Sequence, residues 1–389
     1  MSKNTPILPI EPNVLKWARE SIGMSQDDFA KKLHKSIEDV ESWEKGLSSP
    51  TYIQLENIAY NILKRPIAIF FLSEPPAEKN IAAEFRTLPN YDLNNLHSNT
   101  HLLIRKANFF QLCLQEVFQE SKDDFSANFL VDQNLDPIVQ AKKIRELLGI
   151  SIEDQCSWKT DDFALKNWRA AIERKGAFVF KESFKEAGIS GFCLYDDKFP
   201  IIYLNNTTTK TRQIFSLLHE FAHLTCHANG ISKFDTQYIN QLPIAEKKIE
   251  IFCNKLASEI LIPSDDFLGA IRGIDFSSED FPESIVSSLA SRYSVSREAI
   301  LRKIFDLGMV SKHFYETKSA DWTNQIKKVS GGGDWYLSKN AYLSEKYASK
   351  VVSLKQQRRI STDQASIFLD VKPRNYSGLE AQILKGQSN

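Results

Sequence analysis

The sequence predicts an α+β fold, mostly helical, with a small β-sheet set between helical regions. Three observations predict it. Apolar residues recur at helical spacing through residues 1–76, in short stretches closed by glycine or proline. Between residues 176 and 206 the period falls from about 3.6 to about 2, in β-branched and aromatic runs bounded by Gly, Asp-Asp and Asn-Asn. Directly afterwards "TTTKTRQIFSLLHEFAHLTCH" returns to helical spacing and carries histidines and a glutamate.

In chain order, "PNVLKWARESIG" places Leu15, Ala18 and Ile22 at helical spacing, with Gly23 as a stop. "SQDDFAKKL" opens with Ser25 as N-cap and Asp28 three residues on, and "SIEDVESWEKG" repeats that start from Ser36 to Asp39. "YIQLENIAYNIL" supplies a further amphipathic helix through Leu55, Ile58, Ala59 and Ile62. Short helices joined by tight turns in this order predict a helix-turn-helix bundle over residues 1–76. Residues 73–100, with "SEPPAEKN" and "RTLPN", read as an extended linker. "HLLIRKANFFQLCLQEVFQE", "DPIVQAKKIRELLG" and "DDFALKNWRAAIERKG" read as helices, and "GAFVF", "SGFCLYDD" and "PIIYLNN" as strands. Residues 77–310 form the expected central domain and 311–389 a basic, helical C-terminal region. "ESIVSSLASRYSVSREAILRKIFDLGMV" resembles a second helix-turn-helix around "SVS", with Ser296 as N-cap, and is read as support for the central domain.

Length and composition are those of a globular protein, 389 residues with 42% hydrophobic and 25% charged, enough for two or three domains. "MSKNTPILPIEPN" lacks the basic-then-apolar pattern of a signal peptide, and no apolar run reaches a membrane span. Five scattered cysteines without a C-x-x-C pair read as reduced thiols, so a cytoplasmic protein is expected. Net charge is zero but unevenly placed. Residues 1–76 hold 9 Lys and Arg against 10 Asp and Glu, whereas residues 311–389 hold 13 against 7. Attraction to nucleic acid therefore resides at the C-terminal end. The third helix of the bundle would enter a DNA groove with Glu38, Asp39 and Glu41, which repel phosphate. DNA binding through it is in doubt, and a protein-recognition role on the same fold competes with it.

"HEFAHLTCH", residues 219–227, concentrates the metal-binding residue types. On a helix His219 and His223 lie about 40° apart and about 6 Å along the axis, so both imidazoles can reach one ion. Glu220 follows the first histidine, where a carboxylate can work on the ion's water without ligating it. His227 would lie about 12 Å along the axis from His219, and no glycine turns the chain back, so His227 and Cys226 are assigned to the helix end. A zinc site with an open position needs one more protein ligand. "IEIFCNKLASEILIP" predicts a second helix that packs through Phe252, Leu256 and Ile260 and presents Glu250 and Asn254 on one face. Position alone leaves Glu250 open between a metal ligand and a solvated acid among Glu246, Lys247 and Lys248. If Glu250 ligates, Asn254 is placed to hold a ligand histidine in its tautomer.

The order "GISGFCLYDDKFPIIYLNN", "FSLLHEFAHL", "EIFCNKLASEILIP" resembles the ImmA/IrrE family of zinc metallopeptidases. That family runs G-x-s-G, an apolar strand ending in Asn, T/S-x-x-H-E-x-x-H, then E-x-x-A-N-x-F-A-x-x-L-L-M-P. Among this sequence's departures are Cys253 for the Ala, Leu256 for the Phe and Ile262 for the Met, all apolar exchanges. "AAEFRTLPN" is similar to the upstream segment of the family, and the N-terminal bundle resembles the Xre-type domain that a subgroup carries. The resemblance implies a gluzincin-like metallopeptidase domain, with His219, His223 and Glu250 as zinc ligands and Glu220 as catalytic base. It also implies a protein substrate of regulatory kind, such as a repressor or toxin-antitoxin partner, and a link to transcription regulation. A non-proteolytic antitoxin or DNA- or protein-binding regulator with a structural or vestigial metal site is the competing expectation.

Overall fold

The computed structural model describes residues 8–78, 96–119, 135–186, 188–233, 237–324 and 333–387. The chain forms two compact units, residues 1–106 with 184–187, and residues 107–183 with 188–389. The segment "AAEFRTLPN" lies outside the described residues.

The first unit is built on helices α1 (Pro12–Glu20), α2 (Gln26–Leu33), α3 (Ile37–Glu44) and α4 (Tyr52–Glu56). Ser25 caps α2 by accepting from the Asp28 N–H, and Ser36 and Asp39 form a reciprocal capping box at the start of α3. Such caps are worth about 1 kcal/mol each, which matters for helices of only eight residues. Val14, Leu15, Ala18, Phe29, Val40, Trp43, Leu55 and Ile58 form the core. Inside it, Arg19 Nε donates to Glu44 Oε1 at 2.6 Å and Arg19 Nη2 to Glu44 Oε2 at 3.0 Å, tying α1 to α3. Gly23 turns the chain after α1 with φ +61°, and a Cβ there would lie 2.8 Å from His101 Nε2. "YIQLENIAYNIL" is not one uniform α-helix. After Glu56 it widens into a π-helical stretch, Asn57–Ile62, that still buries Ile58, Ala59 and Ile62.

The expected linker ends earlier than residue 100, because helix α5 (Ser98–Val117) already includes residues 98–100. Thr100 bonds to the Glu186 carboxylate, which holds that first turn. In the second unit, helices α6 (Pro137–Leu148), α7 (Ile152–Ser157) and α8 (Asp161–Arg174) precede the sheet. Strands β1 (Phe178–Glu182), β2 (Ile189–Leu194) and β3 (Ile201–Asn205) follow. Then come helix α9 (Lys210–Thr225), a fourth strand β4 (Gly230–Lys233) and helix α10 (Ile244–Leu261). The sheet order is β1-β3-β2-β4, with β1 and β3 parallel and the other pairs antiparallel. The sequence reading contained no β4, a four-residue strand too short for its periodicity to register.

All of β2 and β3 is buried, and the alternation sorts their side chains between two faces. Val179, Cys193, Ile202 and Leu204 join Leu217, Leu218, Phe221 and Leu256 in one core with α9 and α10. Phe180, Phe192 and Tyr203 line the opposite face in a stacked row, with ring centroids 5.2 and 5.8 Å apart, against Phe110 of α5. Each fully buried aromatic contributes about 1.5–3 kcal/mol.

The rest of the second unit is helical: α11 (Ser264–Ala270), α12 (Glu283–Tyr293) and α13 (Arg297–Asp306), then, in the C-terminal region 311–389, α14 (Lys312–Asn324), α15 (Trp335–Tyr342), α16 (Glu345–Gln356), α17 (Thr362–Phe368) and α18 (Tyr376–Gln387). Tyr347 of α16 meets Phe110 and Phe180 edge-on at 5.8 Å, and buried Glu173 of α8 accepts the Lys346 N–H at 3.1 Å. The pair α12 and α13 shares its turn geometry with the N-terminal bundle: Ser294 and His34 both have φ 53° and ψ 47°, each followed two residues on by a serine cap. Its cations are engaged locally. Lys303 is buried on Glu259, Arg302 bonds Asp306 at 3.0 Å, and Arg297 lies 4.8 Å over Trp322. Among the described residues no helix is long and apolar enough to cross a membrane, and all five cysteines are free thiols.

Candidate metal centre

Thr209 caps α9 by accepting from the Arg212 N–H, and the helix then runs sixteen residues. Its last three turns are buried all round, Ser216 through Thr225, because the sheet lies on one side and α10 on another. His219 and His223, one turn apart, therefore emerge in the interior, with their Nε2 atoms 3.0 Å from each other. From α10, Glu250 places Oε2 3.5 Å from His219 Nε2 and Oε1 3.2 Å from His223 Nε2. One ligand atom from each of the three residues falls within 4.8 Å of the others. Glu250 is thus no solvated surface acid, since it is 0% exposed, as are Glu220 and His223.

Two glycines allow this approach. A Cβ on Gly191 of β2 would lie 3.6 Å from Glu220 Cγ and 2.9 Å from the Tyr203 carbonyl. One on Gly230 of β4 would lie 2.8 Å from His223 Cδ2 and 3.1 Å from Glu220 Oε2. Ser232, two residues along β4, donates to Glu220 Oε1, and the Cys193 thiol lies beside the same carboxylate. Tyr238, on the 3-10 turn Gln237–Gln241, donates to Glu250 Oε2 at 3.0 Å.

Burial opposes charge on His223, Glu220 and Glu250, and opposite charges close by offset it. Burial alone would lower the pKa of His223, but Glu250 and Glu220 raise it to about 9. Burial would raise Glu250, yet the two imidazoles hold it well below the usual carboxylate range. Glu220 is raised, chiefly by burial. The pocket therefore calls for positive charge between the imidazoles and Glu250. His219 Nδ1, His223 Nδ1, Glu220 Oε2 and Glu250 Oε1 are buried without hydrogen-bond partners. Two imidazoles and one carboxylate oxygen, converging and incompletely partnered, fit a zinc ion with a further position open.

The remaining sequence candidates do not converge there. Asn254 is half-buried on α10, and neither imidazole Nδ1 has it as a partner among the described residues. Cys226 is the C-cap of α9, and His227 turns away with φ 56° to stack on Tyr195 at 4.8 Å. Ser232, Tyr238 and Gly230 escaped the sequence reading. The alternation in "NGISK", following a helix end, is the one local signal for the strand of Gly230 and Ser232, and nothing comparable marks Tyr238.

A short mixed sheet under a helix with two inward histidines, joined by a carboxylate from a second helix, defines a metallopeptidase-like domain, here following a helix-turn-helix bundle. Residues 172–305 match the family model described as the IrrE N-terminal-like domain, and residues 15–59 match the helix-turn-helix model. The two matches agree with the ImmA/IrrE resemblance in the sequence and with its N-terminal Xre-type domain. The first spans the whole sheet, α9 and α10, so the candidate site lies inside it. No curated protein matches the chain.

Proposed function

We propose that this protein is a zinc-dependent endopeptidase that cleaves one regulatory protein, a repressor or toxin-antitoxin partner, with its helix-turn-helix bundle serving recognition. The observation that carries the reading is the convergence of His219, His223 and Glu250 beside a buried Glu220 whose Oε2 has no partner. Zinc in that position would acidify a water and polarise a peptide carbonyl. Glu220 would take the water's proton on Oε2 while Ser232 holds Oε1, and would then release it to the leaving amine nitrogen. Its burial, which raises its proton affinity, suits both steps. Glu38 on α3 is exposed and Glu41 is paired with Lys45 at 2.7 Å, so the helix offers phosphate little attraction.

The test compares cells expressing the wild type with cells expressing Glu220→Gln. A protein that disappears with the wild type and persists with the variant identifies the substrate, and metal analysis of the purified wild type should give one zinc per chain. Absence of stoichiometric zinc, or an unchanged cellular effect in Glu220→Gln, overturns the peptidase reading. Filter binding to the protein's own promoter DNA across a salt series decides whether the bundle reads DNA.

A further inference from the structure

Glu250 presents two oxygens that differ in their surroundings. Oε2 accepts the Tyr238 hydroxyl at 3.0 Å. Oε1 lies 3.2 Å from His223 Nε2 and has no hydrogen-bond partner, although it is fully buried. A carboxylate can bind a small dication through one oxygen or both. The choice matters at a three-ligand zinc site, because a second carboxylate oxygen would take the position that water needs.

Tyr238 is well placed to make that choice. It is only 8% exposed, and its short turn is anchored by buried Ile239 and Leu242 immediately before α10. A buried phenol needs a partner for its O–H, and Tyr238 finds it on Glu250 Oε2. The hydrogen bond occupies the side of the carboxylate facing the turn and fixes the rotation of the carboxylate plane.

We propose that Tyr238 is a positioning residue that reserves Glu250 Oε2, so that Glu250 offers the metal Oε1 alone and a coordination position stays open for water. The inference rests on the zinc reading of the site, and it assigns Tyr238 a role on the ligand rather than on the substrate. A hydroxyl so close to a metal centre has one other evident use, donating to the oxygen of a peptide carbonyl under attack. The two roles leave different marks.

The experiment uses the full chain loaded with Co²⁺, whose visible absorption weakens as coordination rises from four to five. Wild type, Tyr238→Phe and His223→Gln are titrated with the ion, and the metal-free proteins are compared by thermal unfolding. Phenylalanine keeps the ring that packs in the turn, so folding is retained. The wild type should give an intense, four-coordinate spectrum at one equivalent. Tyr238→Phe should bind one equivalent but lose most of that intensity, as Glu250 closes on the ion through both oxygens. A Tyr238→Phe spectrum identical to the wild type, with slower turnover alone, overturns the proposal in favour of a substrate role. A folded variant that binds no Co²⁺ also overturns it, because the phenol would then be needed to hold the site at all. If His223→Gln binds Co²⁺ as the wild type does, the zinc reading itself has failed, and that result is distinct from the other two.

Discussion

The Ser232 hydroxyl donates to Glu220 Oε1, leaving Oε2 as the oxygen of that buried carboxylate without a partner. A strand of four residues thus sets which oxygen of the candidate base is free. A hydrogen bond to a charged group contributes about 1.5–3 kcal/mol, so Ser232→Ala should lower kcat by about 10- to 100-fold. Zinc stoichiometry should stay at one, because Ser232 touches none of the three candidate ligands. Single-turnover cleavage of the substrate found with Glu220→Gln, alongside metal analysis, checks both halves. A loss of zinc in Ser232→Ala would mean that β4 holds the ligands rather than the base.

Gly230 of the same strand is predicted to tolerate no side chain. An alanine Cβ would lie 2.8 Å from His223 Cδ2, 2.9 Å from His223 Cγ and 3.1 Å from Glu220 Oε2. Either the imidazole or the strand must then shift. Overpacking of this kind costs about 1–3 kcal/mol, and a displaced ligand weakens metal binding further. Gly230→Ala should reduce zinc affinity at least about tenfold, by competition with a chromophoric chelator. Gly269→Ala is the control, since nothing lies within 4 Å of its Cβ, and it should bind zinc as the wild type does.

These two residues also mark the limit of what the sequence discloses. The capped helices of the bundle, the three longer strands and the helix carrying His219 and His223 are written in local spacing and were legible. Glu250 was legible only as one of two alternatives, because its spacing on α10 is equally that of a surface acid. The packing of α9 against α10 buries Glu250 and removes the surface-acid alternative, and local periodicity does not encode that packing. Gly230, Ser232 and Tyr238 lie in short or irregular segments, where a residue's role depends on contacts 7 to 12 positions away, as with Ser232 and Glu220 or Tyr238 and Glu250. Asn254 shares a helix face with Glu250, but neither imidazole Nδ1 has a hydrogen-bond partner among the described residues, and spacing on one helix does not set that contact.

In the first unit, the Arg19–Glu44 pair should dominate the electrostatic contribution to stability. Both side chains are buried, at 6% and 3% exposure, and Glu44 also accepts from Gln26 Nε2 at 2.8 Å. Removing one partner strands the other charge in the core, which costs about 3–5 kcal/mol. Glu44→Ala should therefore lower the unfolding temperature of this unit sharply. Lys31→Ala, which breaks the exposed pair with Asp27, should leave the unfolding temperature close to that of the wild type. Thermal unfolding followed by circular dichroism separates them.

His101 should make the first unit sensitive to acid. Burial lowers its pKa from 6.5 to about 4. Between these values the unfolded chain binds a proton that the folded chain refuses, so stability falls as pH drops from about 6.5 toward about 4. At pH 5 the penalty is about 2 kcal/mol relative to pH 7. His101→Gln should remove that part of the difference, so unfolding free energies at the two pH values should draw together by about the same amount. A variant that keeps the full wild-type acid sensitivity would place its origin elsewhere.

The strongest discrimination at the candidate centre comes from two substitutions of equal chemical size. His227 sits four residues beyond His223, at the interval that separates His223 from His219, yet on an unbroken helix it would lie about 12 Å along the axis from His219. The helix ends before it, its φ is 56°, and its ring stacks on Tyr195 at 4.8 Å instead of facing Glu250. His227→Gln should keep one zinc per chain with unchanged affinity, and Tyr195 loses no more than a ring contact. Glu250→Gln keeps the side-chain volume and can still accept from Tyr238, but its neutral amide no longer compensates a dication between two imidazoles. It should lose zinc during dialysis under conditions in which the wild type and His227→Gln retain it. The reverse pattern, zinc lost with His227→Gln and kept with Glu250→Gln, would move the third ligand to the end of α9 and require the chain after Cys226 to fold back onto the site.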